Sequence, residues 1–597
     1  MKPAQHEPSG SLVGSLADIL ASAQSAFDKG DHARTEEILR QVLEAHPQIA
    51  AAWKLRGINA LRIGLEDDAE TFLEQSLRLD PEDAGTLFHL GNAYLKDSAF
   101  TQAVDLYQRS IAIRADIPET HNNLSAALRL AGRPSDAEAA AQQALRLERN
   151  YGEAENNLGL ALCDLGRYPE AIHCFERAIQ IDRENVEALN NLGVALDASG
   201  EVDKAKETFV QALALQPKNI DAKLNLGNLY RKTGQLTDAA QQYSEALELN
   251  PGDLRAYANL GLTLINKNQP EGAIALYEKA LALAPETPDI RMSLGIAQLM
   301  LGYFDDGWRN YEARWQATSF TAKRRSFAGT PWTGQPLAGK SILVYAEQGF
   351  GDTIQFARYL PLIAQQAGEV VFECQKALKS LCSSLDGVTK LLARGEALPE
   401  TDFQIPLMSL PLRMAEFAGH MPTATQYLRA AGDATEGFRQ RLQTEKPSVG
   451  LVWSGNPDRQ DDWIRSCPPT AMRLLLDQRD YEFVSLQFGA TPSELSPDIV
   501  DFGALCRDFT DTAAAVDALD LIITVDTATA HLAGALGKNV WVMLGHHADW
   551  RYLMNRTDSP WYPTMRLYRQ EKFGHWDSVV EACARDLRSG LGMTDRA

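Results

Sequence analysis

Apolar and small residues recur every 34 residues through the first half of the chain. A glycine marks each repeat, with Ser125 in its place once; the series is Gly57, Gly91, Ser125, Gly159, Gly193, Gly227, Gly261 and Gly295. A small residue, usually alanine, follows twelve positions later, and a bulky residue usually follows after four more. This period predicts stacked helix pairs, because one pair alone cannot bury its apolar faces. We expect an α-solenoid of about nine pairs over residues 16–320, the first and last being degenerate.

After Trp315 the pattern changes to short β-branched runs separated by helical stretches. Near-continuous apolar strands that alternate with helices are typical of buried parallel sheets. The predicted strands lie at residues 341–346, 369–374, 388–393, 401–407, 447–453, 481–487, 519–526 and 539–544. They predict two Rossmann-like α/β lobes, residues 338–432 and 433–590, with ligand sites at the carboxyl ends of the strands.

The remaining segments are expected to connect or flank these domains. Residues 321–337 form a linker in which Lys323, Arg324 and Arg325 are predicted to be solvated. The alternative is that these basic residues contact the groove of the array. Residues 1–15 are predicted to be a disordered N-terminus and residues 591–597 a tail.

Composition narrows the choice of partners. The net charge of -21 over 597 residues disfavours nucleic acid or an anionic membrane as the main partner, because binding to phosphate needs a basic face. The N-terminus lacks the cationic and apolar regions of a signal peptide, and no run of about 18 apolar residues occurs. The seven cysteines include no CxxC pair and are expected to be reduced thiols. We expect a cytoplasmic protein with no stable membrane association, and an oligomer is compatible with the sequence.

Asparagine precedes the marker residue by two positions in five successive repeats: Asn123, Asn157, Asn191, Asn225 and Asn259. Equivalent positions one repeat apart project along one line of the array. Amides both donate and accept, so this ladder is predicted to bind the backbone of an extended acceptor polypeptide. The alternative is that these asparagines pack or cap within the repeats.

The turn Gly349-Phe350-Gly351-Asp352 follows the first strand of the first lobe. It has Ile354 where a dinucleotide-binding fingerprint needs glycine, and it lacks the GK[ST] of a phosphate loop. We expect Asp352 to begin a helix and to face the cleft, where free amides and the helix dipole hold a carboxylate ionised. The alternative is an N-cap with no further role.

Two stretches of the second lobe are predicted to hold a phosphate. After one strand, a helix N-terminus with two threonines forms an anion site; the residues concerned are Asp526, Thr527, Ala528, Thr529 and His531. After another, the small residues Ser454, Gly455 and Asn456 allow close approach, and Arg465 is predicted to bind phosphate. His531 has helix packing as an equal alternative.

These motifs carry two resemblances. The 34-residue pattern resembles tetratricopeptide repeats. The stretches GFGDTIQFARYLP, GLVWSGNP and DTATAHLAGALGKNVWV resemble GT-B glycosyltransferases of the heptosyltransferase-like type. That resemblance implies that Asp352 is the catalytic base and that Asp526, Thr527 and Ala528 grip the nucleotide diphosphate, with Gly349 and Gly351 beside the donor. The phosphate-binding lysine of heptosyltransferases has no clear equivalent, and Arg465 is the proposed substitute.

The combined layout also resembles O-linked N-acetylglucosamine transferases, whose superhelix carries a similar asparagine ladder, and bacterial flagellin-modifying glycosyltransferases. The resemblance implies metal-independent transfer of a sugar, such as a CMP-linked nonulosonic acid (pseudaminic acid), to Ser or Thr of a recruited protein such as flagellin. No cofactor is expected beyond the nucleotide-sugar substrate. The alternatives are a non-catalytic repeat adaptor and a heptosyltransferase that acts on a lipid-linked glycan.

A metal site is not expected. Asp461 and Asp462 are predicted to lie in an exposed loop, and two adjacent histidines, His546 and His547, rarely bind one ion. Trp550 and Arg551 follow the last predicted strand and are expected either to border the nucleotide base or to pack in the core.

Overall fold

The computed structural model describes residues 15–322, 324–414, 426–442, 445–456, 462–489 and 499–590, with residues 422, 493, 495 and 496. Lys323, Asp461, residues 1–14 and the tail at 591–597 lie outside the described residues, so the expectations for them stay predictions. Two compact units divide the chain, Met1–Leu229 and Tyr230–Ala597.

Among the described residues, nine helix pairs occupy the first half of the chain, as the repeat period predicts. Their helices α1 to α18 are Leu16–Asp28, His32–Ala45, Ala50–Arg62, Glu66–Leu79, Ala84–Lys96, Phe100–Ile113, Pro118–Leu130, Pro134–Leu147, Gly152–Asp164, Tyr168–Ile181, Val186–Ala198, Val202–Leu215, Ile220–Lys232, Leu236–Leu249, Leu254–Asn266, Pro270–Leu283, Pro288–Met300 and Phe304–Tyr311. A short 3-10 turn, Glu312–Trp315, ends the array.

The marker glycines allow the two helices of a pair to approach closely. A Cβ at Gly159 would lie 2.5 Å from the Phe175 ring, and one at Gly193 would lie 2.5 Å from the Phe209 ring. Both rings are buried. The small residue on one helix and the aromatic residue on its partner therefore form one packing unit, which explains why both recur with the same period.

A five-stranded parallel sheet follows, in the order β1-β5-β2-β3-β4. The strands are Thr330–Pro331, Ser341–Tyr345, Glu369–Cys374, Lys390–Ala393 and Phe403–Pro406. The helices α19 to α22 are Phe350–Phe356, Leu360–Ala364, Lys379–Cys382 and Leu410–Arg413. The order reverses between β2 and β5, so the turns after these two strands meet at the carboxyl edge of the sheet.

A six-stranded parallel sheet forms the rest of the fold, in the order β11-β10-β9-β6-β7-β8. The strands β6 to β11 are Ser448–Val452, Glu482–Ser485, Val500–Asp501, Leu521–Val525, Val540–Leu544 and Met565–Arg569. The helices α23 to α28 are Gly432–Arg439, Asp462–Arg465, Pro469–Leu476, Phe509–Asp517, Ala528–Ala535 and Asp577–Arg588. The strand order is that of a doubly wound α/β sheet, with its reversal between β6 and β9.

One apolar core connects the last repeat with both sheets. It contains Trp308 from α18, Val344 from β2, Val542 from β10 and Trp550 from the turn after β10. The five strands β6, β7, β9, β10 and β11 also bury their other face, against α25 and α28. The last helices of the array thus belong to the same compact unit as the sheets.

The eight predicted strands are confirmed, and three further strands were not expected: β1, β8 and β11. Of the basic linker residues predicted to be solvated, Arg324 is exposed and Arg325 is half-buried, with its Nη1 donating to Glu373 Oε1 at 2.9 Å at the end of β3. Within the described residues, no helix combines the length and the apolar character needed to cross a membrane.

Candidate functional site

The turn after β6 is hydrogen-bonded to a neighbouring side chain. The backbone N–H groups of Trp453 and Ser454 both donate to Gln487 Oε1, at 3.0 and 2.9 Å, and Gln487 Nε2 donates back to Ser454 O at 3.2 Å. Gln487 is buried at the end of β7. Ser454 is half-buried and Asn456 is exposed. The β6 turn is therefore fixed by its own sheet, with small residues at the edge where the strand order reverses.

Gly455 and Arg465 pack directly against each other. A Cβ at Gly455 would lie 2.2 Å from Asp462 Oδ1 and 2.4 Å from Arg465 Nη2. Arg465 Nε donates to Asp462 Oδ1 at 2.8 Å, and Arg465 Nη1 donates to the carbonyl of Asp526 at 3.3 Å. The guanidinium thus connects the turn after β6 with the turn after β9. The prediction that Asp462 lies in an exposed loop is wrong, because Asp462 is buried in α24 and orients Arg465.

The turn after β9 leads into α27. Thr527 is the residue before the helix, and its side chain makes no capping hydrogen bond; it lies 3.1 Å from the Thr524 hydroxyl instead. Ala528 and Thr529 lie in the first turn of the helix, where the backbone N–H groups have no acceptor within the helix. This N-terminus can bind an anion beside Arg465.

The Asp526 side chain contacts Tyr552. The Tyr552 hydroxyl donates to Asp526 Oδ1 at 2.7 Å. Burial and the neighbouring Asp549 carboxylate raise the pKa of Asp526 above its usual value. Asp526 therefore orders the turn through its side chain and contacts Arg465 through its carbonyl.

Asp352 is the third residue of α19, not its first. The helix begins at Phe350, after Gly349, and Gly349 N donates to Asp352 Oδ2 at 2.8 Å. Asp352 therefore lies in the first turn of the helix, as expected, although it does not begin it. The alternative of a capping role holds in part, because Asp352 accepts from the N-cap backbone as the third helical residue and is not itself the N-cap. The Asp352 side chain is 22% exposed, so part of the side chain stays accessible.

Arg551 contacts Asp352, and the sequence carries no sign of this ion pair. Its Nη2 donates to Asp352 Oδ1, its Nη1 to Asp549 Oδ1 at 2.8 Å and its Nε to Gln355 Oε1 at 2.8 Å. Burial alone would lower the pKa of Arg551, but Asp549 and Asp352 raise it above its usual value. Of the two expectations for Trp550 and Arg551, core packing describes both, since both are buried.

At Gly351, the start of α19 packs against helix α27 of the second sheet. A Cβ at Gly351 would lie 3.1 Å from His531 Cδ2 and 3.5 Å from Ala528 Cα. His531 is 5% exposed, and its Nδ1 lies 3.3 Å from the Tyr562 hydroxyl. Burial lowers the pKa of His531 to about 3, so the ring is neutral. This placement favours the packing role of His531 over donor binding.

The predicted ladder asparagines lie on α7, α9, α11, α13 and α15, the first helices of five successive pairs. Four of them bridge to the preceding repeat: the Nδ2 groups of Asn123, Asn157, Asn191 and Asn225 donate to Asn92, Asn122, Asn156 and Asn190, at 2.9, 2.8, 2.9 and 3.0 Å. All five are half-buried. The amide group of each of these four residues therefore joins neighbouring repeats. The alternative, that the asparagines have a packing role in the array, thus holds in part.

Across the described residues there is no group of three or more histidine, cysteine, aspartate or glutamate side chains able to hold a metal ion. His546 and His547 lie in the turn after β10, where the His546 carbonyl accepts from Asn268 Nδ2 at 2.7 Å. That bond connects the turn between α15 and α16 to the second sheet.

Family comparisons identify the helical part. Models described as tetratricopeptide repeat match residues 20–84, 60–118, 190–253 and 254–287, and one described as TPR repeat matches residues 159–200. The chain therefore contains tetratricopeptide repeats, followed by an α/β region with parallel sheets.

Relatives match only part of the chain. Protein FlbA of Caulobacter vibrioides is 27% identical over 338 residues, 49% of this chain and 53% of FlbA. Superkiller complex protein 3 of Mus musculus is 27% identical over 133 residues, 21% of this chain and 8% of that protein. A solved tetratricopeptide repeat protein from Parabacteroides merdae is 16% identical, with a TM-score of 0.37 over 42% of this chain and 98% of its own. The chain thus spans about half of FlbA and a small part of the mouse protein.

Proposed function

We propose that the protein is a metal-independent glycosyltransferase of the GT-B type, which moves a sugar from a nucleotide-sugar to Ser or Thr hydroxyls of a polypeptide held by the repeats. The observation that carries the proposal is the meeting of three turns. The turns after β6 and β9 meet at the reversal of a doubly wound sheet, where such sheets bind nucleotides. The turn that carries Asp352 abuts the same helix N-terminus through Gly351.

The donor phosphates would lie between Arg465 and the first turn of α27. Arg465 is already oriented by Asp462, so little side-chain freedom is lost when it binds an anion. A guanidinium and backbone N–H groups aimed at the departing phosphate stabilise the charge that develops there, an effect of about 10²–10³-fold for one good donor. Ser454 and Asn456 border this position from the β6 side, so the nucleotide can lie along the carboxyl edge of the sheet.

Asp352 would act as the base that accepts the hydroxyl proton. Its two hydrogen bonds, from Gly349 N and Arg551 Nη2, orient the carboxylate. A positioned general base contributes about 10²–10⁴-fold. The CMP-linked nonulosonic acid donor and the flagellin acceptor remain the candidates that the resemblance supplies.

The asparagine ladder supports a polypeptide acceptor. Since the Nδ2 groups of Asn157 and Asn191 are committed to the preceding repeats, these amides cannot rotate without losing a bond. Their Oδ1 atoms are then the acceptors left to bind the N–H groups of an extended chain. Binding through the backbone would make recruitment tolerant of sequence.

The adaptor alternative also has a supporting observation. Both Asp352 oxygens accept hydrogen bonds within the protein, which is the pattern of a carboxylate that joins two structural elements. In that case the repeats recruit a partner, and the α/β region serves only as a docking body.

A transfer assay separates the two proposals. The full chain is incubated with nucleotide-sugars labelled in the sugar (CMP-, UDP-, GDP- and ADP-linked) and total protein of a bacterial extract, and labelled protein is measured. We expect transfer by the unaltered chain and a loss of at least roughly 100-fold in Asp352→Asn, with nucleotide affinity unchanged. Equal transfer by Asp352→Asn would remove Asp352 from the mechanism. No transfer and no nucleotide binding by the unaltered chain would leave the adaptor function.

A further inference from the structure

The last helical repeat packs on the turn that carries Asp352. The Trp308 ring on α18 lies 5.7 Å from the Phe356 ring on α19 and 5.2 Å from the Trp550 ring, in edge-to-face geometry. Trp308 is buried in the core that contains both sheets. Aromatic contacts of this kind fix the position of α18 relative to α19.

Tyr311, one turn further along α18, contacts the residue before the glycine turn. The Tyr311 hydroxyl accepts a hydrogen bond from Gln348 Nε2 at 2.9 Å, and Tyr311 is only 6% exposed. Gln348 O in turn accepts from Gln375 Nε2 at 2.8 Å. Gln348 is therefore held from two sides, through its side chain by the repeat and through its carbonyl by the residue after β3.

Arg314 reaches the reversal point of the first sheet from the 3-10 turn after α18. Its side chain is fully buried, and its Nη2 donates to Glu347 Oε1 at 3.2 Å and to Ser409 Oγ at 2.8 Å. Glu347 Oε1 also accepts from Met408 N at 3.2 Å. Glu347 follows β2 and Met408 follows β5, so this guanidinium joins the ends of the two strands between which the order reverses.

The buried contacts of Arg314 with Glu347 and Ser409 are not explained by stability alone. Glu347 Oε2 and Arg314 Nε are buried and have no hydrogen-bond partner in the described part of the chain. Buried ion pairs are commonly no more stabilising than apolar residues of similar volume, and some define one conformation instead. An incompletely satisfied pair at a reversal point is consistent with such a positioning role.

We infer that Tyr311 and Arg314 of the last repeat are positioning residues for Asp352, because they hold the Glu347–Gln348–Gly349 backbone from which α19 starts. The last repeat is then part of the site and not only of the recruiting array. The catalytic consequence rests on the proposed function, whereas the effect on the turn does not.

Tyr311→Phe removes the hydroxyl and keeps the ring among Trp308 and Trp550. The control is Tyr303→Phe in the same repeat, where the side chain is exposed. Hydrogen exchange of the full chain is measured at the amides of residues 347–353 and in strands β2 and β9. We expect exchange at 347–353 to rise about 3–10-fold in Tyr311→Phe, the effect of one hydrogen bond, with no change in the strands or in Tyr303→Phe.

The second readout is transfer. We expect kcat to fall by a similar factor in Tyr311→Phe while the KM for the donor stays within twofold, since only the base is displaced. Because Gln348 and Tyr311 share one hydrogen bond, the double variant Gln348→Leu with Tyr311→Phe should lower kcat no further than the more damaging single variant does. Arg314→Met, with exposed Arg309→Met as control, should affect the same amides more strongly; if Arg314→Met does not fold, Tyr311→Phe decides.

Unchanged exchange at residues 347–353 in Tyr311→Phe, or a uniform increase through both sheets, would overturn the inference. An equal loss of kcat in Tyr303→Phe would do the same. If the unaltered chain transfers no sugar, the proposed function fails, and the exchange measurement still decides whether Tyr311 holds the turn.

Discussion

Arg551 Nη2 donates a hydrogen bond to Asp352 Oδ1, and this contact joins the turn after β10 of the second sheet to α19 of the first. The same guanidinium contacts Asp549 and Gln355. The candidate base is therefore oriented by a residue from the opposite sheet, and its position depends on how the two sheets pack.

The first prediction concerns this guanidinium. Arg551→Met should lower the free energy of unfolding by about 3 kcal/mol, because it leaves Asp352 and Asp549 without their buried partner. Urea unfolding followed by tryptophan fluorescence reports on this region, since Trp53 is the only one of the ten tryptophans that lies before residue 230. The control is Arg556→Met, which breaks a more exposed pair with Asp558 and should cost less than about 1 kcal/mol. Equal costs for the two variants would contradict the account.

The second prediction tests glycine–aromatic packing in the repeats. Gly193→Ala should destabilise by roughly 1–3 kcal/mol, because the added Cβ would lie 2.5 Å from the Phe209 ring. Gly152→Ala is the matched control on a neighbouring first helix; its Cβ would meet Ile181 at 3.6 Å and the Ala178 carbonyl at 3.8 Å, both ordinary contact distances. The control should be neutral or stabilise by up to about 1 kcal/mol. Thermal unfolding followed by circular dichroism distinguishes the two, and a Gly193→Ala protein as stable as Gly152→Ala would refute the packing argument.

The third prediction concerns the asparagine bridges. In Asn191→Asp, a carboxylate oxygen replaces the amide that donates to Asn156 Oδ1, so two acceptors face each other. We expect a loss of about 1–2 kcal/mol in thermal unfolding. Asn150→Asp makes the same charge change at an exposed position, and its free energy of unfolding should stay within about 0.5 kcal/mol of that of the unaltered chain. Indistinguishable unfolding of the two variants would show that the bridge carries no stability.

The fourth prediction is a pH dependence. Burial raises the pKa of Glu347 from 4.5 to about 7, although Arg314 acts to lower it. Because the unfolded chain loses this proton first, the contribution of Glu347 to stability is complete below pH 4.5 and is lost as the pH rises to about 7. Relative to the unaltered chain, Glu347→Gln should therefore become more stable between pH 5 and 8, by up to about 3 kcal/mol. Parallel stability curves for the two proteins over that range would be the contrary result.

Much of the fold could be predicted from the sequence. The 34-residue period predicts all nine helix pairs, because each repeat must present the same small and bulky residues to its neighbours. Apolar runs predict eight of the eleven strands that the described residues form. The other three strands were missed: β1 and β8 are two residues long, and β11 is an edge strand whose apolar run is interrupted by the half-buried Arg566 and Arg569.

The candidate site was predictable only in part. Ser454, Arg465 and Thr527 follow strands whose apolar character is visible, and parallel strands end at one edge of a sheet. Arg551 was recognised only as a border or packing residue, because its partners Asp352 and Gln355 lie about 200 positions earlier in the chain and no local pattern connects them. His531 was expected at the donor because it lies in a phosphate-type motif; its burial depends on Gly351 and Tyr562, which come from other elements.

The positioning role of the last repeat was also hidden in the sequence. Tyr311 occupies the bulky position of the repeat pattern, so the sequence gives no reason to assign it a second role. Its contact with Gln348 depends on packing between the array and the first sheet, which the repeat period does not specify.

The central claim is that the reversal point of the second sheet binds a nucleotide, and isothermal titration of the full chain with CMP, UDP, GDP and ADP tests it most directly. Gly455→Ala should displace Arg465, because the Cβ would lie 2.4 Å from its Nη2. We predict that the unaltered chain binds at least one nucleotide, that Gly455→Ala and Arg465→Gln weaken binding at least roughly tenfold, and that the exposed Arg479→Gln does not. Absence of binding to the unaltered chain, or equal affinity in Gly455→Ala, would contradict the account.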